Sequence, residues 1–376
     1  MRERLHHMLV KEFIQTLRNP RMRAMLFLTP VIQLFMFGYA VTTDVHSITL
    51  AVYDLDQSVA SRELASRFVN SGYFVLVESV AEPGRVRELL DTGRARAVLQ
   101  FNRGFQETLH AGRSAQLQLL LDGTISNTAG IVLNYSSRIV NQFSQELLDQ
   151  RVARLLGTPP RTARVELETR AWFNENLESR NFFVPGVIAT IVTLISLMLT
   201  SMAVVREKEI GTMEQILVSP IRPVELILGK TIPFALLALA DVIGITLIGV
   251  FWFSVPVRGN VLLLLFATGL FLMTSLGLGL LISTVSQTQQ QAMMAAFFLY
   301  MPAFLLSGFM FPIANMPQAF QWLTLVNPLR YFMEIIRAIF LKGVGASILW
   351  PQMVALALLG AATLGLSAQR FHKTLK

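Results

Sequence analysis

The sequence predicts a polytopic α-helical membrane protein with six transmembrane helices, an N-terminal interfacial helix, and an α/β domain inserted between spans 1 and 2. Three observations carry that prediction. Hydrophobic residues fill 53% of the 376 positions and charged residues only 15%. The mean hydropathy of +0.52 is too high for a soluble chain of this length. Six stretches also reach the about 20 residues that a helix needs to cross a bilayer core of about 30 Å. They are roughly 24–43, 182–205, 232–255, 261–285, 292–313 and 348–368. A more polar segment, 44–180, separates the first from the second.

Residues 1–22 form the first element. In "RERLHHMLVKEFIQTLR", Leu5, Met8, Leu9, Phe13 and Leu17 share one helical face and basic groups surround the other. Such a helix lies along a membrane surface. The apolar core of a cleavable signal peptide is absent from this stretch. Span 1 follows over 23–43.

The segment 44–180 alternates in period. "ITLAVYDLD" (48–56), "YFVLVES" (73–79), "ARAVLQF" (95–101) and "AQLQLLLDG" (115–123) predict strands. "SVASRELASRFVN", "EPGRVRELLDTG" and "RGFQETLHAG" predict the helices between them, and a long helix is expected from Ile125 to Leu156. "ARVELETRAWFN" then predicts a further strand. The chain has no cysteine, so this domain must rest on its own apolar core.

Residues 181–376 carry spans 2–6. The stretch 307–343 is apolar and aromatic but broken by Pro312, Pro317 and Pro328. It predicts short helices near the outer surface, partly re-entrant, a backbone tolerated at depth only where protein covers it. Charge sets the orientation. The net +8 does not form a nucleic-acid patch, because 44–180 carries 15 Arg, no Lys and 16 acids. The N-terminal stretch, the loop 206–230 and the C-terminal tail together hold 13 basic residues, against four in the short segments of the opposite side. The positive-inside rule places both termini and that loop in the cytoplasm.

No catalyst or metal site is predicted. The five histidines (6, 7, 46, 110 and 372) have no ligand spacing, and HExxH, CxxC and GxSxG are absent. "GKT" (229–231) ends like a phosphate-binding loop, but Val224 stands where that loop requires glycine, so Lys230 reads as a headgroup anchor. Asp241 falls near the middle of its span, where a carboxylate costs roughly 2.5–3.5 kcal/mol. It must meet a cationic substrate or proton, or else bond to a Ser, Thr or Gln inside the bundle. Arg330, Glu334 and Arg337 stand at i+4 and i+3 spacing. They read as a structural ion network or as a gate at the outer mouth.

The loop "REKEIGTMEQILVSP" (206–220) is the densest patch of mixed charge between apolar runs. As a helix over 206–219 it would present Ile210, Met213, Ile216 and Leu217 as a ridge among charges of both signs, ended by Pro220. Four acids balance four bases in 206–230, which fits a groove on a partner protein better than an anionic leaflet. The uncharged "SQTQQQ" (286–291) is a smaller second contact in this reading.

With that loop the chain resembles a type-2 permease of the ABC exporters, drug-resistance branch. "REKEIGTMEQILVSP" is similar to that family's R-E-x-E-x-G-T-x-E-Q-L-L-V-x-P signature, with Ile216 in place of Leu. "WFNENLESRNFFVPG" (172–186), "STVSQTQQQA" (283–292), "LLSGFMFPIANMP" (305–317) and "NPLRYFMEIIRAIFLKG" (327–343) follow its pattern as well. The resemblance implies that Arg206, Glu207, Glu209, Gly211, Thr212, Glu214 and Gln215 belong to a coupling helix seated on a separate ATPase subunit. That subunit would bind ATP and Mg, and this chain would bind no cofactor. The resemblance further implies a second permease chain, identical or paralogous, and a bacterial inner-membrane location among membrane lipids. The domain 44–180 would be periplasmic, working with an adaptor and an outer-membrane channel, and the cargo would be drugs or similar amphipathic molecules. Two rival readings are weaker. A transporter driven through Asp241 by an ion gradient would show repeated halves, and a membrane-anchored receptor or assembly factor would need only featureless spans.

Overall fold

The computed structural model describes residues 2–40, 47–124, 126–156, 172–174, 178–212 and 223–374. They form two compact units, Thr43–Thr169 and a second made of Met1–Thr42 with Arg170–Lys376.

The inserted unit is built on a four-stranded sheet of order β2-β1-β3-β4. β1 (Ile48–Asp54) runs parallel to β2 (Phe74–Val80) and to β3 (Ala97–Phe101), while β4 (Leu117–Leu121) pairs antiparallel to β3. Because side chains alternate across a strand, β1 sends Ile48, Leu50 and Val52 to one face and Ala51 and Tyr53 to the other. The first face packs under α4 (Val59–Asn70) and α7 (Ser126–Leu156) through Leu64, Phe68, Val132 and Phe143. The second packs under α5 (Pro83–Asp91) through Val86 and Leu89. α4 begins with a reciprocal Ser58–Ser61 capping box. α6 (Phe105–His110) is capped from a distance: Asp56 accepts the amides of Gly104 (2.7 Å), Phe105 (3.0 Å) and Gln106 (3.0 Å). The strand expected over 163–174 falls mostly outside the described residues.

In the other unit, α1 (Arg2–Arg18) leads into α2 (Pro20–Arg23), a π-turn at Ala24–Leu28 and α3 (Thr29–Ala40). The long helices are α8 (Ser179–Ile210), α9 (Pro223–Phe251), α10 (Val261–Val285) and α14 (Ala346–Thr374). Among the described residues these four are long and apolar enough to cross a membrane. They match expected spans 2, 3, 4 and 6. Expected span 1 opens with the π-turn and runs on as α3; Leu26–Tyr39 is its apolar helix among the described residues, and 41–43 lie outside them. Expected span 5 is α11 (Gln289–Leu305), only 17 residues, and the chain turns at Gly308 with φ +80°.

α8 is the most enclosed of the four, with 78% of its apolar window buried. It is joined to α10 by small residues and hydroxyls, as helices in lipid require. Ser196 and Ser275 hydrogen-bond at 2.6 Å, and a Cβ on Gly279 would stand 2.7 Å from Thr200 Cβ. The same helix meets α14 at Gly277, where a Cβ would lie 2.6 Å from the Thr363 hydroxyl. The broken stretch 307–343 forms short helices, α12 (Gln318–Leu323) and α13 (Pro328–Arg337), plus helical turns. Leu329, Phe332, Ile335 and Ile336 of α13 are fully buried in the main apolar core, so protein covers this irregular backbone.

α1 divides its expected apolar face: Met8 and Phe13 turn inward and Leu17 outward. Its buried face carries Glu12 and Thr16, whereas Val10, Ile14 and Leu17 are exposed. The reason is contact with α9. Met8 lies against Gly229, where a Cβ would stand 2.5 Å from its sulfur, and Glu12 faces Lys230.

Candidate functional site

The signature residues meet at the end of α8. Arg206 to Ile210 are the last turn of that helix, and Gly211, with φ +78°, ends it. The Gly211 amide donates to Lys208 O at 3.2 Å and the Thr212 amide to Glu207 O at 3.0 Å, a left-handed glycine stop. A continuous helix over 206–219 is therefore not what forms. Residues 206–210 extend the span, and 213–219, including Glu214 and Gln215, lie outside the described residues. The glycine is there for its positive φ; nothing lies within 4 Å of where its Cβ would be.

The charges at this end turn inward. Glu207 Oε1 accepts Lys230 Nζ at 2.7 Å and Lys11 Nζ at 3.2 Å, and Oε2 accepts the Thr212 hydroxyl. Lys230 Nζ also donates to Glu12 Oε1 at 2.6 Å. The side chains of Lys230, Glu12 and Glu207 are only 3%, 5% and 4% exposed, so two acids and one base are buried together, with the half-exposed Lys11 at their edge. Lys230 is not the headgroup anchor expected from its place at the head of a span. "GKT" is a docking motif for α1: the glycine admits Met8, the lysine bridges two helices, and Thr231 bonds back to Ile227 O at 2.7 Å.

Two more contacts tie α8 to the turn between α10 and α11. Lys208 Nζ donates to Thr284 O (3.1 Å) and Ser286 O (3.4 Å), and Glu209 accepts the Gln289 amide at 2.8 Å and its side chain. Deeper in α8, the Ser283 hydroxyl accepts the amides of Val204 (3.0 Å) and Val205 (3.2 Å). Arg206 reaches Met22 Sδ at 3.5 Å. The signature thus works first as a joint between α1, α8, α9 and the 284–289 turn. Ile210 is left as an exposed apolar side chain at its tip.

Asp241 lies on the buried face of α9 with Leu237, Ala238, Val242 and Ile245. Its Oδ2 has no hydrogen-bond partner, so the Ser, Thr or Gln bond that would make it purely structural is not formed there. Arg330, Glu334 and Arg337 do not pair with one another, which corrects the ion network suggested by their spacing. Arg330 donates to the Thr324 hydroxyl, and Glu334 accepts Gln352 at 3.0 Å. Arg337 donates to Gly308 O at 3.1 Å with its guanidinium 3.8 Å from the Phe182 ring centre. The three share one face of α13, yet each finds its partner on another element: Thr324, Gln352 and Gly308.

No group of three or more His, Cys, Asp or Glu that could hold a metal occurs among the described residues. Sequence reasoning missed Lys11, Glu12, Lys230 and Gln289. The one available signal was Glu12 in the middle of α1, an acid with no base three or four positions away.

Comparison with known proteins agrees with this architecture. Residues 20–368 match the family described as ABC-2 family transporter protein. The chain is 37% identical to the probable multidrug ABC transporter permease YbhR of Escherichia coli K12, over 96% of this chain and 97% of that one. It is 29% identical to the inner membrane transport permease YhhJ of the same organism, over 97% and 96%. ABC transporter G family member 20 of Dictyostelium discoideum is 24% identical over 89% of this chain and 46% of that protein. The chain belongs to the ABC-2 family of transporter proteins and is a membrane permease of the ABC transporter class.

Proposed function

We propose that this chain is the permease subunit of an ATP-driven exporter, moving drugs or other amphipathic molecules outward across the inner membrane. A separate ATPase, holding ATP and Mg, docks on the loop that begins at Ile210–Gly211. The pull of that subunit passes through the end of α8 into α1, α9 and the 284–289 turn together. The observation that carries the reading is the buried cluster of Glu207, Lys230 and Glu12, with Lys11 at its edge, which joins three helices at the base of that loop. A passive tether needs no such joint. A lever does, because a charge pair left half-made in the interior is strongly unfavourable and holds its partners in place.

Two permease chains enclose the pathway in this proposal. The unit 43–169 serves as the periplasmic contact for an adaptor and outer-membrane channel. The lack of a partner for Asp241 Oδ2 supports reading that carboxylate as a contact for cationic cargo. The test is Glu214→Lys in the docking loop, beyond the buried joint. ATP hydrolysis by the co-purified ATPase should persist while export falls at least about tenfold, roughly 1.4 kcal/mol of lost coupling. Export at the wild-type rate would refute the lever.

A further inference from the structure

Beside the buried joint lies an open groove of about 770 Å³, lined by Lys11, Ile14, Gln15, Arg18, Asn19 and Arg206. Its charge is one-sided. Among the described residues Glu12 is buried against Lys230, and Glu207 is buried between Lys230 and the groove's Lys11. Arg18 makes no ion pair among the described residues, and Arg206 has a thioether, Met22 Sδ, as its contact. Lys11 bonds Glu207, and its side chain is 52% exposed. The groove therefore offers three cations to one occupant.

The surroundings say what that occupant is. Val10, Ile14 and Leu17 form an exposed apolar stripe along α1, 41%, 56% and 39% accessible, and Ile14 belongs to the groove wall. Phe27, Leu28 and Ile32 continue the exposed apolar surface into the first apolar helix. A basic mouth bordered by an uncovered apolar stripe matches a phospholipid: headgroup phosphate above, acyl chain below. The buried side-chain oxygen of Gln15 has no partner and suits a headgroup hydroxyl as donor. We propose that this groove binds the phosphate of an anionic phospholipid such as phosphatidylglycerol, held by Lys11, Arg18 and Arg206 with its chain along Val10, Ile14 and Leu17. The lipid would fill the angle between α1 and the end of α8 and brace the joint from outside. This site does not depend on the identity of the cargo.

The test is native mass spectrometry of the purified full chain, titrated separately with phosphatidylglycerol, zwitterionic phosphatidylcholine and inorganic phosphate. Phosphatidylglycerol should be retained in preference, and Arg18→Gln should weaken that retention about fivefold, the effect of one basic residue at a membrane surface. Arg23→Gln, an exposed base outside the groove, should leave retention unchanged and so separates a site from general surface charge. Equal retention of the two lipids, or an Arg18→Gln variant that binds as wild type does, would overturn the proposal. Displacement by inorganic phosphate at matched concentration would assign the groove to a soluble anion instead. Loss of the lipid when the ATPase subunit is added would assign it to protein.

Discussion

At the scale of single residues, removing the Lys230 ammonium would leave Glu12 and Glu207 facing each other in a site that excludes water. Lys230→Ala should cost about 3–5 kcal/mol, because breaking a buried pair strands its partner charges. Lys230→Met combined with Glu12→Gln and Glu207→Gln should recover most of that loss, as measured by thermal unfolding in detergent. A second carboxylate acts in the inserted unit. The Ser58 hydroxyl first, and then the amides of Gln106, Gly104 and Phe105, hold the Asp56 carboxyl below the usual carboxylate range, against the opposing effect of partial burial. A lowered folded-state pKa means that the unfolded chain binds the extra proton. The stabilisation is therefore complete above about pH 4 and is lost as pH falls through the lowered value. Asp56→Ala should reduce the stability of this unit by about 1 kcal/mol near neutral pH and flatten its acid unfolding profile. None of this long-range pairing was legible in the sequence. Glu12 and Lys230 are 218 positions apart, and no local pattern assigns one to the other.

At the scale of elements, much was legible, and the misses have physical causes. The strands of the inserted unit and α7 stand within about two residues of expectation, because period-2 alternation and a long helical run are local signals. The end of α8 was misplaced because Gly211 can be tolerated inside a helix or can stop one, and only its φ decides. Gly211→Ala should cost about 1 kcal/mol by forcing a Cβ into the left-handed region. For α1 the reading was incomplete for a different reason. A helix can bury an acid and part of its apolar face (Met8, Phe13) against protein while leaving Val10, Ile14 and Leu17 outward, and composition alone does not divide the two sides. Gly229→Leu tests that contact, since the added side chain must push Met8 aside. It should dislodge α1 and raise proteolytic cleavage after its lysine and arginines, while Gly244→Leu, which meets nothing within 4 Å of its Cβ, should not.

At the scale of the whole molecule, hydropathy marked where apolar sequence lies, yet it did not distinguish a straight span from a broken one. The π-turn at Ala24–Leu28 widens the helix at the head of one apolar stretch, and the turn at Gly308 ends another early, neither adding a charge. Asp241 was legible as a cost, and its lack of an Oδ2 partner makes it a candidate for function rather than architecture. Asp241→Asn should lower export of cationic compounds about tenfold relative to neutral ones, measured with the same vesicles; equal loss for both would mean a packing role.

Where α8, α10 and α14 touch, glycines let backbone meet side chain with no room for even one methyl group. Surfaces fitted that closely do not slip past each other, so during turnover the three rods must tilt as a single raft. Stapling them should then be harmless. The chain has no cysteine of its own, and Ser196 and Ser275 already touch. Oxidising a Ser196→Cys, Ser275→Cys double variant should leave export intact, whereas a machine that worked by sliding would stall.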